Sequence, residues 1–257
     1  MNLRITHAGQ SRAMQPIIIT SDKTSWSVRP MLHQAARYWP TMPHTIIGGY
    51  TRPDFDLPTH CEFVSIGAFV DYPVSKWSNG LIKLLEHIED EYILFMMDDY
   101  WLNRRVDQRA IDDLTDYLMA HRDLARLDLT GDRLGASGWV SHGSINGLEL
   151  IRSNPQSPYH FSFQAALWRR SLLLDCLTPN LTPWESEING DHRLRDLGYL
   201  VIGTKQPPLR YTIAVQQGKL ALDGGYQTSA YALPVTDADH LIKTGMIPRE
   251  FLPEWVY

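Results

Sequence analysis

The segment from Tyr92 to Leu102 reads Tyr-Ile-Leu-Phe-Met-Met-Asp-Asp-Tyr-Trp-Leu, and five apolar residues, Ile93 to Met97, run straight into two adjacent carboxylates, Asp98 and Asp99. An apolar run without polar alternation suits a strand covered on both faces of a sheet. Two acids at the end of such a strand are costly unless something positive meets them. In open α/β sheets the carboxyl ends of strands are where ligands bind. A hard cation carrying a phosphorylated ligand satisfies both conditions. A solvated loop, in which Asp98 or Asp99 caps the next turn, satisfies the local pattern as well.

The surrounding chain alternates strand-like and helix-like signals. Pro16 to Thr20 is a β-branched run ending in the polar turn Ser21-Asp22-Lys23-Thr24, and Ser25 to Tyr38 has helical spacing with Pro30 near its start. Strands are expected at His44–Tyr50 and Glu62–Ile66, then a helix from Asn79 to Asp90 with Asn79 or Ser78 as its cap. Beyond the acids, a helix is expected over Val106–His121 and a strand over Leu124–Leu129. The Gly-, Ser-, Asn- and Pro-rich residues 131 to 158 read as loops with a hairpin. A strand over Tyr159–Leu167, a helix over Trp168–Leu177, a helix from Trp184 to Leu197 closed by Gly198, and a strand over Tyr199–Gly203 complete the pattern. The tail from Gln206 looks irregular, with Gly218, Gly224 and Gly225 pointing to mobile loops. Strands interleaved with helices predict a mainly parallel sheet with right-handed crossovers.

Composition narrows the partners. At 257 residues the chain fits one large domain, and 44% hydrophobic with 21% charged residues is ordinary for a soluble globular protein. A net charge of −5 argues against nucleic acid or an anionic membrane as partner, and no stretch approaches a membrane span. Cys61 and Cys176 form no ligand pattern, and Met1 to Gln10 lacks the apolar core of a signal peptide; a reduced, cytoplasmic protein is expected. Eight Trp and 12 Tyr offer flat apolar faces suited to sugar rings or nucleobases, although most such residues pack in cores.

Three blocks in this order resemble a GT-A-fold glycosyltransferase of the family-2-like bacterial or viral type. They are the strand ending in Thr20-Ser21-Asp22, the run Trp77-Ser78-Asn79-Gly80-Leu81 leading to Met97-Asp98-Asp99, and Phe161 to Trp168 followed by Pro183-Trp184-Glu185-Ser186-Glu187 and Arg193 to Tyr199. The resemblance implies an α/β, GT-A (Rossmann-like) fold with a mixed, mainly parallel central sheet flanked by helices in a single domain. Residues 16–130 would form its nucleotide-sugar half, 131–205 its acceptor and catalytic half, and 206–257 an irregular tail. The acidic pair is similar to the "DxD" element, with Met97 departing from its first position. Asp99 would then ligate Mn²⁺ or Mg²⁺, with Asp98 on the ribose or supporting the metal, and His240 is the candidate for a further ligand.

The same resemblance places Thr20, Ser21 and Asp22 at the nucleoside, with Lys76, Trp77, Asn79 and Lys83 also near the donor. Gln164, Trp168 and Trp184 fall on the acceptor side. Setting Arg193-Leu194 and Gly198-Tyr199 on the family pattern puts Glu187 at the base, with Ser186 replacing the usual first acid and Glu185 as the alternative. Both acids could instead simply favour a helix start. The expected activity is metal-dependent transfer of a sugar from a nucleotide-sugar, foremost a UDP-sugar, to a saccharide hydroxyl, with inversion, as in polysaccharide biosynthesis. Two other readings compete: a carbohydrate-binding protein without catalysis, and a sugar-nucleotide pyrophosphorylase. Against the latter, Pro16 to Trp26 has no glycine-rich basic phosphate loop.

Overall fold

A computed structural model of the chain describes residues 2–3, 14–136, 138–216, 219–223 and 231–252. The expected loop residues Gly218, Gly224 and Gly225 lie outside these, as do residues 4–13 of the N-terminal segment. Among the described residues no helix is long and apolar enough to cross a membrane.

Ten strands form one mixed sheet. In chain order they are β1 (Asn2–Leu3), β2 (Gln15–Ile19), β3 (Thr45–Gly49), β4 (Cys61–Ser65), β5 (Tyr92–Met97), β7 (Leu124–Asp128), β8 (Val140–Ile145), β9 (Leu148–Arg152), β10 (Ala166–Arg169) and β11 (Leu200–Thr204). A short strand β6 (Tyr100–Leu102) stands outside it. Across the sheet the order is β1-β8-β9-β11-β7-β10-β5-β2-β3-β4. The four strands β4-β3-β2-β5 are mutually parallel, β10 runs antiparallel between β5 and β7, and β11 is parallel to β7.

Helices cover both faces, which is why the strands read as continuous apolar runs. In β5, Leu94 and Met96 join one core with Met31, Leu114 and Leu118 of helices α1 (Val28–Tyr38) and α3 (Gln108–Ala120). Ile93 and Phe95 join the opposite core with Leu81, Leu84 and Leu85 of α2 (Trp77–His87) and with Leu172 and Leu173. Successive side chains alternate between the two cores as strand geometry dictates. Asp107 caps α3, its carboxylate accepting the Ala110 N–H at 3.0 Å.

Several local expectations shift. Ser25–Ser27 is a 3-10 turn, so α1 begins only at Val28. Short α4 (Asp132–Gly135) precedes the β8–β9 hairpin, whose Asn146-Gly147 turn has positive φ at both residues (47° and 91°), as a right-twisted hairpin requires. The strand expected over Tyr159–Leu167 is Ala166–Arg169 instead, so Trp168 lies in the sheet and the next helix, α5, spans Arg170–Cys176. α6 (Pro183–Leu197) ends as expected at Gly198, φ 72°.

The segment after Gln206 is more regular than its composition suggests. It forms β12 (Tyr211–Ile213), paired with β6, the small ladder β13 (Val215–Gln216) with β14 (Lys219–Leu220), and α7 (Val235–Lys243). Leu209, Tyr211, Leu233 and Leu241 are buried in the main core, which their scattered positions along the sequence conceal.

Candidate active site

The chain order reverses between β2 and β5: from β2 the chain steps outward to β3 and β4, then returns to β5 on the other side of β2. Such a switch point opens a crevice at the carboxyl ends of the two strands. Thr20 and Asp98 meet there, the Thr20 hydroxyl donating to Asp98 Oδ2 at 2.5 Å. The Ser27 hydroxyl donates to the Asp98 carbonyl at 2.9 Å, and Trp101 Nε1–H donates to Ser27 Oγ at 2.8 Å. Asp98 is buried, and the acid is packed rather than solvated.

Asp99 is held by its backbone: its carbonyl accepts the N–H groups of Ala214 at 2.8 Å and Trp101 at 3.2 Å. Its buried Oδ1 has no hydrogen-bond partner among the described residues. No ion pair reaches either acid there. Burial pushes the Asp98 carboxyl up to about 7 against the hydrogen bonds of Thr20 and Thr24. Burial, then the neighbouring Asp98, pushes Asp99 well above the carboxylate range. The two acids form the turn between β5 and β6, and neither caps a helix.

Glu187 enters from the other half of the molecule. Thr182 starts α6 with a reciprocal cap: its Oγ1 accepts the Glu185 N–H at 3.2 Å while Glu185 Oε2 accepts the Thr182 N–H at 2.9 Å. One turn in, Glu187 Oε1 accepts the Phe163 N–H at 2.8 Å, and four residues on Asp191 Oδ1 accepts the Phe161 N–H at 2.8 Å. These carboxylates, i and i+4 on one helix face, grip the irregular strand entry 161–163. Gly190 lets the helix come this close, since a Cβ there would stand 2.8 Å from the Phe161 ring. The Phe163 carbonyl accepts the Tyr100 hydroxyl at 3.1 Å. One residue's backbone thus joins Glu187 to the residue that follows Asp99. Burial raises the Glu187 carboxyl, opposed by the Phe163 N–H and the Arg126 charge.

The start of α2 completes this frame. Ser78 N–H donates to the Leu181 carbonyl and Leu181 N–H to Ser78 Oγ, both at 3.0 Å, while Asn79 exchanges two hydrogen bonds with Asn180. Ser78 and Asn79 are therefore not caps of α2, and Asn79 is committed to the loop leading into α6. The Trp77 ring meets Phe163 edge-on at 4.9 Å. Asp22 accepts the N–H and hydroxyl of Thr51 at 2.9 and 2.8 Å, tying the β2 end to the β3 end, and Ser21 pairs with Thr24 at 3.0 Å.

Sequence reasoning missed the charges beneath the site. On β7 and its exit, Asp128 pairs with Arg126 and, at 2.6 Å, with Arg133, which also holds Asp132 at 2.5 Å. Arg126, Asp128 and Arg133 are almost wholly buried. Tyr100 stacks on Tyr211 at 4.2 Å, and the Tyr211 hydroxyl donates to Gln164 Oε1. Asp132, Gln164, Tyr211 and Arg210 line a cavity of about 600 Å³. The signal available was Leu-Asp-Leu-Thr-Gly-Asp, a second strand ending in acids at Asp128 and Asp132.

Other expected residues fall elsewhere. Trp168 is fully buried on β10 against Phe161 and Arg126, so it cannot meet an acceptor. Glu185 is exposed, and its carboxylate accepts the Thr182 N–H and hydroxyl in the cap that starts α6. His240 stacks on His33 at 4.9 Å in a separate depression with Arg37, away from the acidic pair. Lys76 is exposed, and Lys83 is exposed with its ammonium 6.0 Å above the Tyr72 ring. Trp184 is 68% exposed, open to a ligand face.

No family model and no curated protein sequence matches the chain. Solved structures do. The first 349 residues of S. aureus TarS in complex with UDP superpose with a TM-score of 0.50 at 12% identity, covering 77% of this chain and 59% of that one. S. aureus TarS in a longer form gives 0.47 at 13% identity over 78% of this chain and 37% of that chain, and an LgtC active-site mutant gives 0.37 at 10% over 72% and 65%. The chain thus spans little more than half, or less, of the TarS structures it matches. The sheet order and the superposition on TarS establish that this chain has the GT-A fold.

Proposed function

We propose that the chain is a metal-dependent glycosyltransferase that moves a sugar from a UDP-sugar to a saccharide hydroxyl with inversion, Glu187 acting as base. The observation that carries this reading is the Asp98–Asp99 pair at the switch point, Asp98 buried and Asp99 half-buried, with the buried Asp99 Oδ1 unpartnered and no cationic side chain paired with either acid among the described residues. Two hard oxygen donors that repel one another fit Mn²⁺ or Mg²⁺. No group of three or more His, Cys, Asp or Glu able to hold an ion exists among the described residues. Asp99, with Asp98 behind it, would therefore supply few ligands, leaving phosphate oxygens and water to fill the rest. When bound, the ion offsets charge on the departing diphosphate. UDP is the nucleotide held by TarS on the same fold, which supports the choice of donor.

The chain's own residues then have distinct tasks. Thr20 orients Asp98, and the Phe163 N–H fixes Glu187 through Oε1, leaving Oε2 to take the proton of an acceptor hydroxyl. Raised by burial, Glu187 is a stronger base than a solvated carboxylate, while the Arg126 charge opposes that rise. One carboxylate in this role suits direct displacement at the anomeric carbon. Gln164 and exposed Trp184 are offered to the acceptor. Assaying a panel of nucleotide-sugars for Mn²⁺-stimulated hydrolysis tests the proposal; UDP-sugars are expected to respond most. No stimulated hydrolysis of any of them would reject it.

The acidic pair also makes a pH prediction. Folded-state pKa values raised above the unfolded value, about 3.9 for Asp, mean that the fold holds protons the unfolded chain releases. The acids then favour the fold at low pH, and that stability is lost as pH climbs from about 4 through about 7. His160, held down to about 3 by burial and by Arg133, slopes the other way between about 3 and 6.5. The difference between wild type and Asp99→Asn isolates the pair. In chelator, wild type is expected to lose melting temperature relative to the variant from pH 5 to 7.5, and Mn²⁺ is expected to restore it. Parallel curves would contradict the assignment.

A further inference from the structure

The cavity beside Tyr211 holds a charge that the proposed chemistry does not use. Arg210 lines it and enters no ion pair with any described residue, its Nε–H donating only to the neutral Asn103 Oδ1 at 3.1 Å. Pairing of β12 with β6 brings Arg104, which is exposed and does not itself line the cavity, next to Arg210. The Asn103 N–H donates to the Arg210 carbonyl at 3.2 Å, and Arg104 is the next residue. Arg104 is anchored by the Pro207 carbonyl at 2.7 Å and likewise has no carboxylate among the described residues. Burial and the Arg210 charge hold its guanidinium below the ordinary value, as expected of two cations in one another's field. An arginine in a cavity wall without a carboxylate partner leaves its fork of N–H donors open to an arriving anion.

The other charges at the cavity do not answer this pair. Arg133 is committed to Asp128 and Asp132, and Asp132 is committed to Arg133, with Ser162 also donating to it at 3.4 Å. The wall around them is suited to a sugar: Gln164 offers an amide, Tyr231 a hydroxyl, and Tyr159 a ring 60% exposed. The donor's phosphates have their place at Asp98–Asp99, neither of which lines this cavity. We propose that the cavity binds an anionic saccharide, a sugar carrying a phosphate or carboxylate, with Arg210 in its wall as the partner of that charge and Arg104, just outside the lining, adding to the positive field. Taken as the acceptor site, this rests on the glycosyltransferase reading; as a binding site it stands on the cavity and on Arg210, which lines it without an ion-pair partner among the described residues.

The test is a titration of the nucleotide-free chain, followed by ligand-observed NMR, with glucose 6-phosphate, glucuronate and glucose. At least one anionic sugar is expected to bind about ten-fold or more tighter than glucose, and the stronger of the two identifies phosphate or carboxylate as the group. Arg210→Gln, which can still donate to Asn103, is expected to remove most of that preference, and Arg104→Gln, outside the lining, a smaller part of it. The melting temperature of both variants reports folding. Equal binding of glucose, no detectable binding of either anionic sugar, or an undiminished preference in Arg210→Gln overturns the proposal. So does loss of Mn²⁺–UDP binding in Arg210→Gln, which would assign the clamp to the donor. Because the titration contains no nucleotide, it can succeed or fail independently of the transferase activity.

Discussion

Glu187→Gln is expected to lower transfer to an acceptor by about 10²–10⁴-fold, the range that general-base catalysis contributes. The substitution is nearly isosteric, and a glutamine Oε1 still accepts the Phe163 N–H that positions the side chain. The fold and Mn²⁺–UDP affinity should therefore survive while the proton acceptor is lost. Glu185→Gln is the matched control. Its carboxylate serves the Thr182 cap, so a glutamine that keeps the cap should leave transfer almost intact. Rates with saturating donor check both, and comparable losses in the two variants would move the base away from Glu187.

Asp128→Ala is expected to be the most destabilising single change near the site, by about 3–5 kcal/mol, as for other buried ion pairs broken on one side. It would leave Arg126 and Arg133 buried without the carboxylate they share. Arg126 also rests 5.4 Å over the buried Trp168 ring, so the network is packed as well as paired. Urea unfolding measures the effect, and a loss under about 1 kcal/mol, typical of exposed pairs, would mean that water reaches the network. The same charges reach the chemistry through Arg126, which lowers the Glu187 pKa against burial. Removing Arg126 should shift the acid limb of the pH–rate profile upward.

The sheet was legible because buried parallel strands announce themselves as apolar runs. Ile17 to Ile19 and Ile93 to Met96 are unbroken apolar runs, and both lie in strands of the sheet, β2 and β5. The choice of Glu187 as base comes only from its place before Arg193-Leu194 and Gly198-Tyr199. Its anchor, a backbone N–H of Phe163, leaves no mark in sequence. Trp168 was misplaced because Phe161 to Leu167 is apolar enough for a strand, whereas the backbone pairs only from Ala166, and tertiary contacts decide that boundary. The Arg126–Asp128–Arg133 network was missed because charged residues usually mean exposure, and the acids that end β7 were its only mark in the sequence. The same is true of Arg210, which acquires meaning only when β12 lies beside β6.

Asp98 and Asp99 carry the central claim, and calorimetric titration of UDP in Mn²⁺ tests it most directly. Wild type should bind UDP with Mn²⁺ and lose binding in chelator. Asp99→Ala should lose at least about ten-fold in affinity, a difference of about 1.4 kcal/mol. That variant should also melt no lower than wild type without metal, since it removes the charge that repels Asp98; misfolding would then not explain the loss. Wild type that ignores UDP in the presence of Mn²⁺, or an Asp99→Ala protein that binds it equally well, would contradict the account.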